Sequence, residues 1–92
     1  MIVQLDGRKM TDKLALHEYI KEQLHLQEYY GKNLDALYDL LTDQKEPLEI
    51  QLCYAQEVKE VLCGYGEAFI ETLCDAAANG QNITVQILDE TN

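Results

Sequence analysis

Apolar and polar residues alternate strictly in three short stretches of the chain. Val3 and Leu5 alternate with Gln4 and Asp6 before the turn dipeptide Asp6-Gly7. Leu48, Ile50 and Leu52 alternate with Glu49 and Gln51 after Pro47, and Ile83, Val85 and Ile87 alternate with Thr84 and Gln86 ahead of a polar tail. A period of two predicts strands with one greasy and one wet face. Between them the period lengthens to that of a helix. After Thr11-Asp12, which suit a helix cap, Leu16, Ile20 and Leu24 recur every four residues and predict a helix ending near His25. Asn33 is a good N-cap for a second helix striped by Leu34, Leu37 and Leu41. Two more follow the second strand: one over roughly 55–63, stopped by Gly64-Tyr65-Gly66, and one over 67–79, stopped by Gly80 as a C-terminal cap.

The predicted order is therefore β-α-α-β-α-α-β. Each connection between strands holds two helices and is far longer than a hairpin, which favours parallel strands joined by right-handed crossovers. Strands apolar on one face only place the helices mostly on one side. The expectation is an α/β fold: a two-layer single domain over residues 1–92, with a small three-stranded parallel sheet and four helices. Ninety-two residues suffice for one core and not for two. No apolar run approaches the roughly 20 residues that cross a bilayer. Met1 leads straight into the first strand, so the protein is expected to be soluble, unexported and cytoplasmic.

Charge sharpens the picture. Seven basic and seventeen acidic residues give a formal charge of −10, which argues against nucleic acid and anionic membranes as partners. The imbalance is local. Residues 1–32 carry five acids and five bases, whereas residues 33–92 carry twelve acids and only Lys45 and Lys59. Cys53, Cys63 and Cys74 match neither a disulfide framework nor paired zinc ligands, and are expected to be reduced and mostly buried.

Candidate chemistry concentrates on the second helix. Asp35, Asp39 and Asp43 recur every four residues, about 40° apart around the axis, flanked by Tyr38 and Thr42 and opposite the leucine stripe. Like charges at this spacing cost about 0.2–0.5 kcal/mol per pair, and acids in a last turn oppose the helix dipole. The fourth helix repeats the spacing with Glu67, Glu71 and Asp75. Such faces are either solvated surface or recognition surface; ordinary solvated faces mix both signs. Just before the second helix, Glu28-Tyr29-Tyr30-Gly31 sets two aromatics and a glycine beside the acids. That composition suits an interface, with Tyr30 expected to close the edge of the core. Catalytic signals are weak. His17 reads as a helix-face residue and His25 as a favourable charge at a helix end, no base has an obvious nucleophile, and one helix offers too few oxygens for a metal. Gly64-Tyr65-Gly66 lacks the strand context of a dinucleotide loop and reads as a connector.

The stretch from Leu26 to Thr42, with Tyr29-Tyr30-Gly31-Lys32-Asn33-Leu34-Asp35-Ala36-Leu37 at its centre, closely resembles the barstar family, intracellular inhibitors of the secreted ribonuclease barnase. Leu16-His17, Lys21, Leu24, Pro47-Leu48 and the ending from Gly80 to Leu88 extend the resemblance over nearly the whole chain. It implies a three-stranded parallel sheet with four helices. It also implies a non-enzymatic inhibitor that binds a basic, guanyl-specific ribonuclease of the barnase type one-to-one, with no cofactor, metal or small-molecule substrate. By similarity, Asp39 would enter the phosphate pocket and Asp35 would serve a neighbouring arginine. Tyr29 and the Gly31 backbone would cover the catalytic histidine, Asn33, Tyr38 and Thr42 would join the contact, and Asp75 would add a carboxylate from the fourth helix. Where the nearest inhibitors carry two aromatics and a last acid, this chain has Tyr38, Gln44 and Asn79. The alternative is a barstar-fold module that neutralises a different basic toxin or nuclease.

Overall fold

In a computed structural model, which describes residues 1–26 and 30–88, the elements follow the predicted order. They are β1 (Ile2–Asp6), α1 (Lys13–Gln23), α2 (Leu34–Thr42), β2 (Leu48–Cys53), α3 (Ala55–Leu62), α4 (Gly64–Asn79) and β3 (Ile83–Ile87), with a 3-10 turn over Gly7–Lys9. The three strands are parallel and lie in sequence order, β1-β2-β3. As a rule such crossovers are right-handed, and two that step in the same direction leave both helix pairs on one face. Burial agrees. Val3 aligns with Ile50 and Val85, and Leu5 with Leu52 and Ile87, on the helix-covered face. Gln4, Gln51 and Gln86 align on the other, where the Gln4 amide donates to Gln51 Oε1 at 3.2 Å.

The core is one cluster in which Leu16 and Ile20 of α1, Leu37 and Leu41 of α2, Val58 of α3 and Phe69 and Leu73 of α4 meet the sheet. Tyr30 is buried at its edge, as its position beside α2 implies. Side-chain caps start α1 and α2: Asp12 Oδ1 accepts from the Ala15 N–H at 2.7 Å and Asn33 Oδ1 from the Ala36 N–H at 2.8 Å.

The junction of α3 and α4 departs from the sequence reading. Gly64-Tyr65-Gly66 open α4 instead of separating the helices, and the break falls at Cys63, with φ 52° and ψ −126°. Packing overrides the poor helix propensity of glycine here. A Cβ on Gly66 would overlap the Val58 carbonyl oxygen and lie 3.2 Å from Lys59 Cα, so only glycine lets α4 approach α3 this closely. Gly80 does end α4, its N–H donating to Ala76 O at 2.7 Å. The cysteine expectation is corrected too: Cys53 is buried, but Cys63 and Cys74 are exposed on the helical layer, and all three are free thiols.

Gly66→Ala is therefore expected to destabilise the protein by about 1–3 kcal/mol through overpacking. Gly64→Ala, with no neighbouring atom within 4 Å of its added Cβ, should gain a few tenths through helix propensity. Urea denaturation of the two variants checks the contrast; equal effects would mean that Gly66 is not held by close approach.

Candidate functional site

The nine residues of α2 divide into two stripes. Leu37 and Leu41 are buried, which fixes the rotation of the helix and leaves Asp35 and Asp39 exposed on the outside, with Tyr38 and Thr42 half-buried beside them. Asp43 is exposed as the C-cap residue. Asp35 lies in the first turn, where the helix dipole favours it; Asp39 lies a turn further on, where the dipole does not. Lys45 Nζ sits 3.3 Å from Asp43 Oδ1, an open pair worth little. Among the described residues, Asp35, Asp39 and Asp75 form no ion pair.

α4 packs against α2 and supplies Asp75, exposed on its outer side, and Asn79. Asn79 Nδ2 donates to the Tyr38 hydroxyl oxygen at 3.1 Å and to the Asp75 carbonyl at 3.0 Å, joining the two helices at the surface. The Thr42 hydroxyl donates to the Tyr38 carbonyl at 2.9 Å. Gln44 folds back, its amide donating to the Leu40 carbonyl at 3.0 Å. Thus the structure brings Asp35, Tyr38, Asp39 and Thr42 together on α2, with Asp75 on the adjoining helix. Tyr29 lies outside the described residues.

The segment leading into α2 is held at three points. Asn33, besides capping the helix, donates from Nδ2 to the Gly31 carbonyl at 3.2 Å, so Gly31 is exposed on a tied turn. Lys32, in the left-handed region at φ 54°, reaches back to α1, where its Nζ lies 2.6 Å from Glu18 Oε1; this holds the Glu18 carboxyl below its usual range. Tyr30 turns inward to His17. The imidazole is 2% exposed and bonded on both sides, Nδ1 to the Tyr30 hydroxyl at 2.8 Å and Nε2 to the Tyr65 hydroxyl at 2.6 Å. A neutral imidazole has one donor and one acceptor, and each phenol can serve as either, so the chain is satisfied without charge. Burial lowers the His17 pKa and raises those of Tyr30 and Tyr65.

The supporting roles of His17, Tyr65, Glu18 and Lys32 were not legible as such. His17 is a core residue rather than a helix-face one, and the signal was its spacing: it precedes Ile20 by three and Leu24 by seven, on the apolar stripe. Among the described residues no three His, Cys, Asp or Glu side chains converge on a point fit for a metal ion, and no helix is long and apolar enough to cross a membrane.

The family model described as "Barstar (barnase inhibitor)" matches residues 1–90. The chain is also 34% identical over 73 residues to the Bacillus subtilis (strain 168) protein described as "Putative ribonuclease inhibitor YrdF", covering 78% of this chain and 80% of that protein.

The buried imidazole makes stability depend on pH with a definite sign. Its folded pKa is depressed, so the unfolded chain takes up this proton more readily. The contribution of His17 is complete above the unfolded value of about 6.5 and is lost as pH falls below it, at up to about 1.4 kcal/mol per pH unit, until the folded imidazole itself titrates. Urea midpoints should drop between pH 7.5 and 5.5 in the wild type and drop less in His17→Gln. An equal drop would show that other groups carry the effect.

Proposed function

Because the chain belongs to the barstar family, we propose that it is a cytoplasmic inhibitor that occludes the active site of a barnase-type, guanyl-specific ribonuclease, one-to-one, with the outer face of α2. The observation that carries this reading is the pair of exposed carboxylates, Asp35 and Asp39, held at fixed helical spacing with no cation of their own among the described residues.

A ribonuclease cleft binds RNA phosphates through cationic side chains, so a protein that fills it needs rigid anions in place of phosphates. In this reading Asp39, central on the face, docks against the cations of the phosphate pocket and Asp35 takes a neighbouring arginine. Gly31 and Tyr29 cover the catalytic histidine, and Asn33, Tyr38, Thr42 and Asp75 complete the contact. Occlusion requires no chemistry from the inhibitor itself, and its family is one of inhibitors. A second reading keeps the face and changes the target to another basic toxin or nuclease. What favours it is the far end of α2, where Gln44 bonds its own helix and Asn79 bonds Tyr38, at positions for which the resemblance implies an aromatic and an acid.

Purified protein is expected to inhibit RNA cleavage by barnase, and the loss in binding on Asp39→Ala should exceed that on Asp43→Ala by roughly ten-fold or more. A desolvated central carboxylate counts for far more than a screened one already beside Lys45. Equal losses would indicate diffuse charge rather than a docked carboxylate, and absence of inhibition would turn the search toward another basic partner.

The acid-rich region from residue 33 onward should also steer association with a basic cleft over about a Debye length. Barnase and barstar are themselves the familiar example of such steering and of charge-pair hot spots, so the expectation for this chain is one of sign and rank. Stopped-flow association rates should fall as ionic strength rises; a flat profile would remove steering from the account.

A further inference from the structure

The Tyr38–Asn79 contact has a polarity that the geometry determines. The same atom, Asn79 Nδ2, lies 3.0 Å from the Asp75 carbonyl oxygen and 3.1 Å from the Tyr38 hydroxyl oxygen. A backbone carbonyl only accepts, so the atom facing it is the amide nitrogen and not the amide oxygen. Its two hydrogens are then both assigned, one to each oxygen. The Tyr38 hydroxyl is therefore the acceptor in this pair and keeps its own proton. Among the described residues nothing accepts that proton. The neighbouring groups differ: the Thr42 hydroxyl spends its proton on the Tyr38 carbonyl, and the Gln44 amide donates to the Leu40 carbonyl.

We propose that Asn79 is a positioning residue that holds Tyr38 as a hydrogen-bond donor on the inhibitory face, and that Tyr38 donates to a carbonyl or carboxylate on the bound ribonuclease. This rests on the reading of the α2 face as the inhibitory surface. The face thereby combines two kinds of recognition. Asp35 and Asp39 demand cations, and one helical step from Asp39 the Tyr38 phenol demands an acceptor. A target that fits both carries an exposed carbonyl or carboxylate at the rim of its basic cleft. A basic surface lacking that acceptor leaves the phenol unpaired, so Tyr38 discriminates among basic partners that the carboxylates alone would accept. The ring is half-buried against the core and its hydroxyl is tied to α4, so little side-chain freedom remains to be lost on binding.

The test uses barnase and four variants of the full chain: Tyr38→Phe, Asn79→Asp, the two combined, and Asp39→Ala, each checked for unchanged thermal unfolding. Tyr38→Phe keeps the ring and removes the donor, and should weaken binding about ten-fold. Asn79→Asp replaces the amide by a carboxylate that accepts the phenolic proton. It should weaken binding to a similar extent despite adding a negative charge, and should cause no further loss once residue 38 is Phe. Were Asn79 only a structural or a charged residue, the substitution would act equally in both backgrounds. The proposal is overturned if Tyr38→Phe binds as tightly as the wild type, or if Asn79→Asp tightens or leaves unchanged the binding of the wild-type background. Asp39→Ala separates the two failures: a large loss there beside a silent Tyr38→Phe leaves the α2 face standing and removes the donor role. Failure of the wild type itself to bind barnase removes barnase as the target, and with it this proposal, which is framed on that ribonuclease.

Discussion

The handedness of the strand crossovers governs this molecule. Three parallel strands in sequence order, joined by crossovers of the right hand that such connections take, keep their helices on one face of the sheet. All four helices share one layer, and the opposite face, with its row of glutamines, stays wet. A narrow sheet offers little width to four helices, so α2 finds its main neighbour in α4 rather than in a strand of its own. The outer stripes of α2 and α4 are therefore forced side by side. That adjacency, a result of topology, joins two remote stretches of chain at the surface through Asn79 and Tyr38.

Most of this frame was readable before any coordinates, for a physical reason. A strand buried on one side only must alternate, and a helix packed on one side only must repeat near every fourth residue, so the one-layer topology writes both periods plainly into the chain. The same periodicity put Leu37 and Leu41 inside and Asp35 and Asp39 outside. What periodicity cannot carry is the meeting of elements. Gly66 looks like a helix breaker because propensity is local, whereas its actual constraint is the Val58 carbonyl on the facing helix. Asn79 and Tyr38 stand 41 residues apart, and nothing in either neighbourhood announces their bond. His17 lies between these cases. It was read as a helix-face residue although it shares the apolar stripe, and its two phenol partners are 13 and 48 residues away, so its satisfaction was invisible.

The buried His17 ties the residues just before α2 to the core. Among the described residues between α1 and α2, Tyr30, Gly31 and Lys32 lie in no helix or strand, and connecting segments of that kind are ordinarily the most mobile part of a fold. Here an interior hydrogen bond anchors Tyr30, an ion pair to α1 draws in Lys32, and the cap residue of α2 grips the Gly31 carbonyl. All three anchors are polar side-chain contacts. Their common effect is to fix the exposed backbone of Gly31 next to the first turn of α2.

A helix of nine residues is too short to persist in water by its own propensity. Its conformation is imposed by the burial of Leu37 and Leu41 and by the Asn33 cap, neither of which involves the outer stripe. That stripe is consequently free to carry residues that a self-supporting helix would exclude, including unpaired acids one turn apart. In most proteins an unpaired surface carboxylate is also an unrestrained one, since the partner that neutralises it is usually what orders it. Here the backbone under Asp35 and Asp39 is ordered from the opposite side by hydrophobic contacts that ionic strength barely touches. The carboxylates thus keep their positions without being neutralised, and in the proposed complex a cationic cleft would meet charges already placed, with no ion pair among the described residues to give up.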